Sequence, residues 1–368
     1  MKVPTRAPFL LCLATLGGCQ ASSVASDAPF AGLMPADHLI QEGEQHFARL
    51  WKLTSGGENA EAYWSYDDSR LCLQRRAPDE GIDCDRIFVT EAATGALAPV
   101  SDGTGTTTCS FFLPGDREVI YASTRGGMEG CPPPLDFSLG YVWAVWPEHD
   151  LWVRDLVSGD LRQLTNLWGY DAEATVSPVG DRMVFTSTRS GDLELWTADL
   201  DGRNLHQVTD QLGYDGGAFF SHDGTKLVFR ATIFPGGAEG ESQREEYVRL
   251  LKEWRIRPHE LEIFVCDVDG SNRRQVTSLG GANWAPYFFP DDTRVMFSTN
   301  HHDPDPSDGI DFDLFAIDED GADLERITTY NGFDAFPMFS RDGRFLAFSS
   351  NRGGSEPGET NVFVAEWR

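Results

Sequence analysis

A single short pattern returns six times along this chain, and that repetition limits the folds open to it. Its clearest copy runs from Gly169 to Asp199: an apolar strand ending at Ser177-Pro178, a Gly180-Asp181 turn, the run Met183-Val184-Phe185, then Leu193-Glu194-Leu195-Trp196. One such unit cannot bury its apolar faces alone. Several arranged around an axis can, so a fixed period points to a propeller or a solenoid. The matched positions Tyr66, Pro114, Pro178, His222, Pro290 and Arg341 lie 48, 64, 44, 68 and 51 residues apart, so the bare unit is near 44 residues and the longer ones carry insertions.

Each turn is followed by a β-branched or aromatic run, such as Leu227-Val228-Phe229, and then by another, such as Ile263-Phe264-Val265. Short strands bounded by turn residues at regular spacing predict an all-β fold. Fourth strands end in Leu-Thr or a near equivalent, at Leu164-Thr165, Val208-Thr209, Val276-Thr277 and Ile327-Thr328. A further copy, Leu53-Thr54, stands ahead of the first unit, while the last unit has only three strands before Arg368. Residues 47–54 are therefore expected to complete the final sheet. The result is a six-bladed β-propeller closed by pairing of N- and C-terminal strands, with no open edge. Its one expected helix lies near 242–256: Ser242 and Glu245 form a capping box, Tyr247, Leu250, Leu251 and Trp254 make an apolar stripe, and Pro258 stops it.

The formal charge of −28 argues against nucleic acid as a partner, since that binding needs clustered Lys and Arg. It suits cations or basic protein surfaces, and it also serves solubility alone. At the N-terminus, Lys2 and Arg6 precede a short apolar stretch from Ala7 to Leu16, too short to span a bilayer. Residues 1–18 read as a signal peptide. The ending Leu16-Gly17-Gly18-Cys19 resembles a bacterial lipobox, which implies lipidation of Cys19. Gln20 at the next position, by the same resemblance, implies the outer membrane, with the protein facing the periplasm or cell surface. Residues 19–43 read as a flexible tether and 44–368 as the propeller, a monomer held to the membrane through its lipid alone.

Export permits disulfides, and the expected pairs are Cys72 with Cys84 and Cys109 with Cys131, leaving Cys266 as a buried thiol. Other pairings, and buried free thiols, remain open.

The stretch Ala218-Phe219-Phe220-Ser221-His222-Asp223-Gly224-Thr225-Lys226, with Ala282-Asn283-Trp284-Ala285-Pro286 and Phe333-Asp334-Ala335-Phe336-Pro337, resembles the repeats of TolB-like six-bladed β-propellers. The resemblance spans roughly residues 44–368 and implies propeller-mediated protein binding, and a cation in the central channel. It resembles in particular an exported, lipid-anchored bacterial subgroup.

In such a ring the loop before each inner strand and the loop between second and third strands open on one face. The large insertions, at 124–148, 233–260 and 301–311, belong to the second kind, so function is expected there. The inner strands start at Asn59, Thr107, Asp171, Asp215, Asn283 and Asp334; of these, Asn59, Asp171, Asp215, Asn283 and Asp334 form a ring of hard oxygens suited to Ca2+. Glu61 and Glu173, two residues further on, are expected to line the channel. Asx at every strand start also serves a purely local role, bonding loop backbone. Aromatics on the insertions, Tyr141, Trp143, Trp146, Tyr247 and Trp254, serve first to pack on the rim and its strands, and second as candidates for gripping a protein partner. The acidic run from Asp303 to Asp313 departs from a calcium loop by its two prolines and by Leu314 where a bidentate Glu belongs, and reads as a solvated loop. The neighbouring His301-His302 pair is a weak metal signal.

No nucleophile elbow, zinc helix or phosphate loop occurs. The reading is a non-enzymatic binding scaffold; the alternative is a metal-dependent lactonase or esterase acting at the axis.

Overall fold

The computed structural model describes residues 30–368 apart from 138–139, 259 and 304–310. Residues 1–18 and Cys19 therefore lie outside the described part. The repeats fold into six antiparallel sheets around an axis. Blade one comprises Glu58–Trp64, Arg70–Ala77, Ile82–Glu91 and Leu97–Pro99, in that order. Blades two to six begin with the inner strands Thr107–Phe112, Asp171–Val176, Asp215–Phe220, Asn283–Phe288 and Asp334–Phe339. Strand faces alternate because side chains on a strand point to opposite sides, and here both sides meet a neighbouring blade. Hence runs such as Phe345–Ser350 are buried throughout.

Closure follows the expected route. The strand Phe47–Lys52 pairs with Asn361–Trp367, with Trp51 opposite Val364, so the sixth blade is built from both chain ends. The expected tether of 19–43 is corrected from Phe30 onward. Phe30 and Leu33 are buried, Phe30 packs on Trp51 and Phe345, and Met34–Pro35 adds a fifth strand to blade six. These few apolar side chains gain enough by burial on the blade edge to order a stretch whose Ser, Ala and Pro content suggests a linker. A buried triad then locks the seam. Arg352 donates to Glu44 at 2.9 and 3.0 Å and to Asp334 at 2.7 Å, with all three side chains fully enclosed.

The turns joining inner to second strands carry a second lock. Asp116 accepts the backbone N–H groups of Tyr66 and Asp67 in the preceding blade, Asp292 accepts those of His222 and Asp223, and Asp68 accepts those of Arg341 and Asp342. The other three blades place Gly180, Gly224 and Gly343 at the same position, all six with φ between 57° and 76°. The choice follows the neighbour. Where the preceding turn opens on Pro114, Pro178 or Pro290, there is no N–H to accept. The proline turn instead fills the space: a Cβ on Gly180 would lie 2.9 Å from Pro114 Cγ, and one on Gly343 3.0 Å from Pro290 Cγ.

The helix is Gly237–Leu251 and not 242–256. Gly236 is extended and lets the chain turn into the helix ahead of Ser242, which therefore lies inside it. Trp254, at φ 58°, ends it and leads into Arg255–Ile256. Tyr247 and Leu250 face the rim, where Tyr247 Oη donates to Asp192 at 2.5 Å.

The disulfide expectation is also corrected. Cys84 pairs with Cys131, while Cys72, Cys109 and Cys266 are free thiols. Register explains why. Cys72 stands opposite Val89, and Cys84 lies five residues further along that strand, about 16 Å away at ~3.3 Å per residue. Cys109 faces the channel, so Cys84 on the upper rim meets the insertion of blade two instead.

Candidate functional site

Each inner strand carries the same irregularity. Glu61, Cys109, Glu173, Gly217, Ala285 and Phe336 all have φ between 49° and 58°, and the pairing register shifts at each. A bulge of this kind re-aims one side chain. Six of them direct one ring of residues at the axis. Two residues on, Tyr63, Phe111, Phe219 and Tyr287 meet one another at 5.3 to 6.3 Å between ring centres and plug the axis. Glu61 and Glu173 thus line a chamber above an aromatic floor, as expected of channel residues.

The two carboxylates have unequal surroundings. Glu173 accepts from Tyr214 Oη and Thr186 Oγ1 at 2.6 Å, from Gly217 N at 2.9 Å and from the Arg230 guanidinium at 2.5 Å. Gly216 and Gly217 make room for this: a Cβ at either would collide with Tyr214 or Arg230. Among the described residues, Glu61 has the Cys109 thiol as its one side-chain donor, with the Arg230 charge nearby. Burial, and then the nearby Glu173 charge, push the Glu61 carboxyl up to about 7 against that bond. Arg230 and Tyr214 escaped sequence reading. Their signal was a cation interrupting the apolar strand Lys226–Thr232, at the position held by Gln74, Ala122, Thr186, Ser298 and Ser349 in other blades.

The ring of strand-start residues is placed as expected, but its groups have protein partners. Asp171 binds Arg189 through both oxygens at 3.0 Å, Asp215 binds Arg273 at 2.9 and 3.1 Å, and Asp334 binds Arg352. Asn59 Nδ2 donates to Thr360 O and Asn283 Nδ2 to Leu261 O, each reaching the third strand of the preceding blade. The two amides tie blades together, the Asp171 and Asp215 pairs brace single blades, and the Asp334–Arg352 pair reaches the N-terminal segment through Glu44. Among the described residues, the His and carboxylate atoms that do converge belong to His302, Asp311 and Asp313. Arg326 donates to Asp313 Oδ2 there, so one of the three groups already has a cationic partner.

The insertions of blades two and four join in a short ladder, Trp143–Ala144 against Arg255–Ile256. It carries Trp143 against Tyr214 and Trp284, with the Arg230 guanidinium 5.4 Å from its ring, at the chamber's rim. Trp143, Trp146 and Trp254 are half-buried and Tyr247 is buried, so Tyr247 offers a partner nothing. Among the described residues, the exposed aromatic side chains are Phe137, Tyr141 and Trp168, at 53%, 59% and 72%. All three border this ladder: Phe137 stacks on Tyr141, and Trp168 meets Trp254 edge-on at 6.4 Å. Trp168 lies outside the insertions, in the loop before blade three, and the search of insertions missed it.

The model of the TolB beta propeller domain matches residues 254–360. A TolB homologue from Chlorobium chlorochromatii is 29% identical over a match covering 25% of this chain and 29% of its own length. TolB from Acinetobacter baumannii superposes with a TM-score of 0.54 at 16% identity, covering 83% of this chain and 65% of its own. A gluconolactonase from Xanthomonas campestris reaches 0.54 at 14% identity over 91% and 97%, and an oligogalacturonate lyase from Vibrio parahaemolyticus 0.50 at 10% over 89% and 95%. The chain thus spans less than two thirds of these two TolB proteins, and at these identities the structural likenesses speak for the fold.

Proposed function

From the premise that the chain is a TolB-like six-bladed β-propeller, we propose that it is a non-enzymatic scaffold that binds a protein partner through its insertion face. The reading includes export, with Cys19 lipidated and anchoring the protein at the outer membrane. The observation that carries it is the gathering of Phe137, Tyr141 and Trp168 beside one ladder, where the other large aromatic side chains of the described residues are wholly or partly buried. Amphipathic rings of this kind act as anchors in interfaces, being large and low in conformational entropy. The surrounding charge, −28 over the chain, favours a partner with a basic surface.

The test is crosslinked capture from the membrane fraction with wild type, Tyr141→Ala and Trp168→Ala. A defined partner lost in both variants supports the reading; a partner retained by both, or none captured by wild type, sinks it. Cys19→Ala should move the protein from the membrane to the soluble exported fraction.

The hydrolase reading draws on the gluconolactonase-like fold and would need free oxygens at the axis for a metal. Asp171, Asp215 and Asp334 are each engaged by arginine, which favours the scaffold. Metal-dependent turnover of a lactone panel by wild type, abolished in Asp171→Ala, would reverse that preference.

A further inference from the structure

Glu61 and Glu173 occupy the same place in two blades, at the bulge of an inner strand, and both point at the axis. The chain supplies Glu173 with a cation of its own. Arg230 arrives from the second strand of blade four, admitted by Gly217, and is steadied by Tyr214 Oη, which accepts from its Nε at 3.1 Å. Glu61 receives no such bond among the described residues, although Arg230 lies near enough to draw its pKa down against burial. The residue beside it on blade one is Gln74, whose Oε1 accepts from Thr108 Oγ1 at 2.9 Å. The blade-two bulge offers only a thiol, Cys109. A cavity of about 30 Å³, partly continuous with solvent, lies between the two carboxylates, large enough for an ammonium head group.

The walls around that space are Tyr63, Phe219 and Phe336. An ionised carboxylate flanked by aromatic faces is the combination that recognises an organic cation: the carboxylate supplies charge and hydrogen-bond acceptors, and the rings supply the negative face of their quadrupoles. A divalent metal is less well served. The other carboxylate, Glu173, is already saturated, and the thiol and phenyl groups are poor ligands for a hard ion.

We infer that the half of the axial chamber bounded by Glu61, Tyr63, Phe219 and Phe336 is a binding site for a primary ammonium group, which does for Glu61 what Arg230 does for Glu173. The ammonium arrives either on a small amine or on a lysine side chain of a protein. The site does not depend on the scaffold reading, since a small amine would use it with no partner docked. Binding needs the ionised carboxylate, so it strengthens as pH rises through 7.

The test is calorimetric titration of the full chain with butylammonium in an amine-free buffer at pH 8 and pH 5.5, in parallel with Glu61→Gln. Expected is a saturable single site at pH 8, weakened at least tenfold at pH 5.5 and lost in Glu61→Gln, with unchanged circular dichroism. Binding that persists in Glu61→Gln, or equal displacement of butylammonium by sodium and tetramethylammonium, overturns the proposal. So does the absence of wild-type binding at 10 mM amine, on the order of the weakest affinity worth calling a site. If Glu61→Gln fails to fold, the wild-type pH dependence decides alone. A capped Gly-Lys-Gly peptide separates the sources: displacement of butylammonium by the peptide assigns the site to a protein lysine, and failure to displace assigns it to a free amine. Either result supports the site. Loss of the captured partner in Trp168→Ala with butylammonium binding intact would keep this inference apart from the fate of the scaffold.

Discussion

The two faces of this propeller are held by different means. On the turn face, each blade grips its neighbour through one position, an Asp where the preceding turn has an N–H to give and a Gly where that turn begins with proline. The rule is local and repeats around the whole ring. On the insertion face the devices are unlike: an Arg352 triad at the closure, Asp–Arg pairs inside blades three and four, amides that reach the preceding blade in two others, and a ladder between two insertions. The contrast teaches that uniform contacts close a ring, and that departures from uniformity mark where it meets something else. The chamber follows the same logic, because its one symmetric feature, the bulge, carries five kinds of residue at six positions.

The largest effect should come from breaking the closure. Glu44→Ala leaves Arg352 buried with half its partners, and loss of a buried ion-pair partner costs about 3–5 kcal/mol. Urea denaturation should show it, and a loss under about 1 kcal/mol would mean that the N-terminal segment does not dock. Next is the turn-face rule. Asp116→Ala removes the acceptor of two backbone N–H groups and should cost about 1–3 kcal/mol. The sharper form is a double-mutant cycle: Pro114→Tyr and Gly180→Asp should each destabilise, and together recover at least about 1 kcal/mol. Simple additivity would refute the matching.

Glu61 gives the third effect, and its sign is fixed by its raised pKa. A carboxyl held near 7 in the folded chain and near 4.5 in the unfolded chain keeps its proton longer when folded. Its contribution to stability is present below about pH 4.5 and is lost as pH rises to 7. The unfolding free energy should therefore fall between pH 5 and pH 8 more steeply in wild type than in Glu61→Gln, by on the order of 2 kcal/mol at pH 8 in urea denaturation. Parallel slopes would place Glu61 in water. The smallest effect belongs to the exposed anchors: Trp168→Ala should change stability by less than about 0.5 kcal/mol, and a larger loss would mean that it packs on Trp254 as part of the fold.

The sequence by itself determined the blade count, the closure and the channel positions. Turn residues and strand periods are local, and a sixfold offset repeat has one geometric solution. It also held the matching of Asp and Gly to the preceding turn, legible once the blades are set side by side. It did not determine which cysteine meets Cys84, since that depends on where the blade-two insertion lies, nor that Phe30 and Leu33 dock on blade six. Nor could it say that Asp171, Asp215 and Asp334 are neutralised while Glu61 is not. Arg189, Arg273 and Arg352 lie in the same blades as their partners but 18, 58 and 18 residues away, and only the packed ring brings Arg230 of blade four to Glu173 of blade three, with no arginine bonded to Glu61 among the described residues.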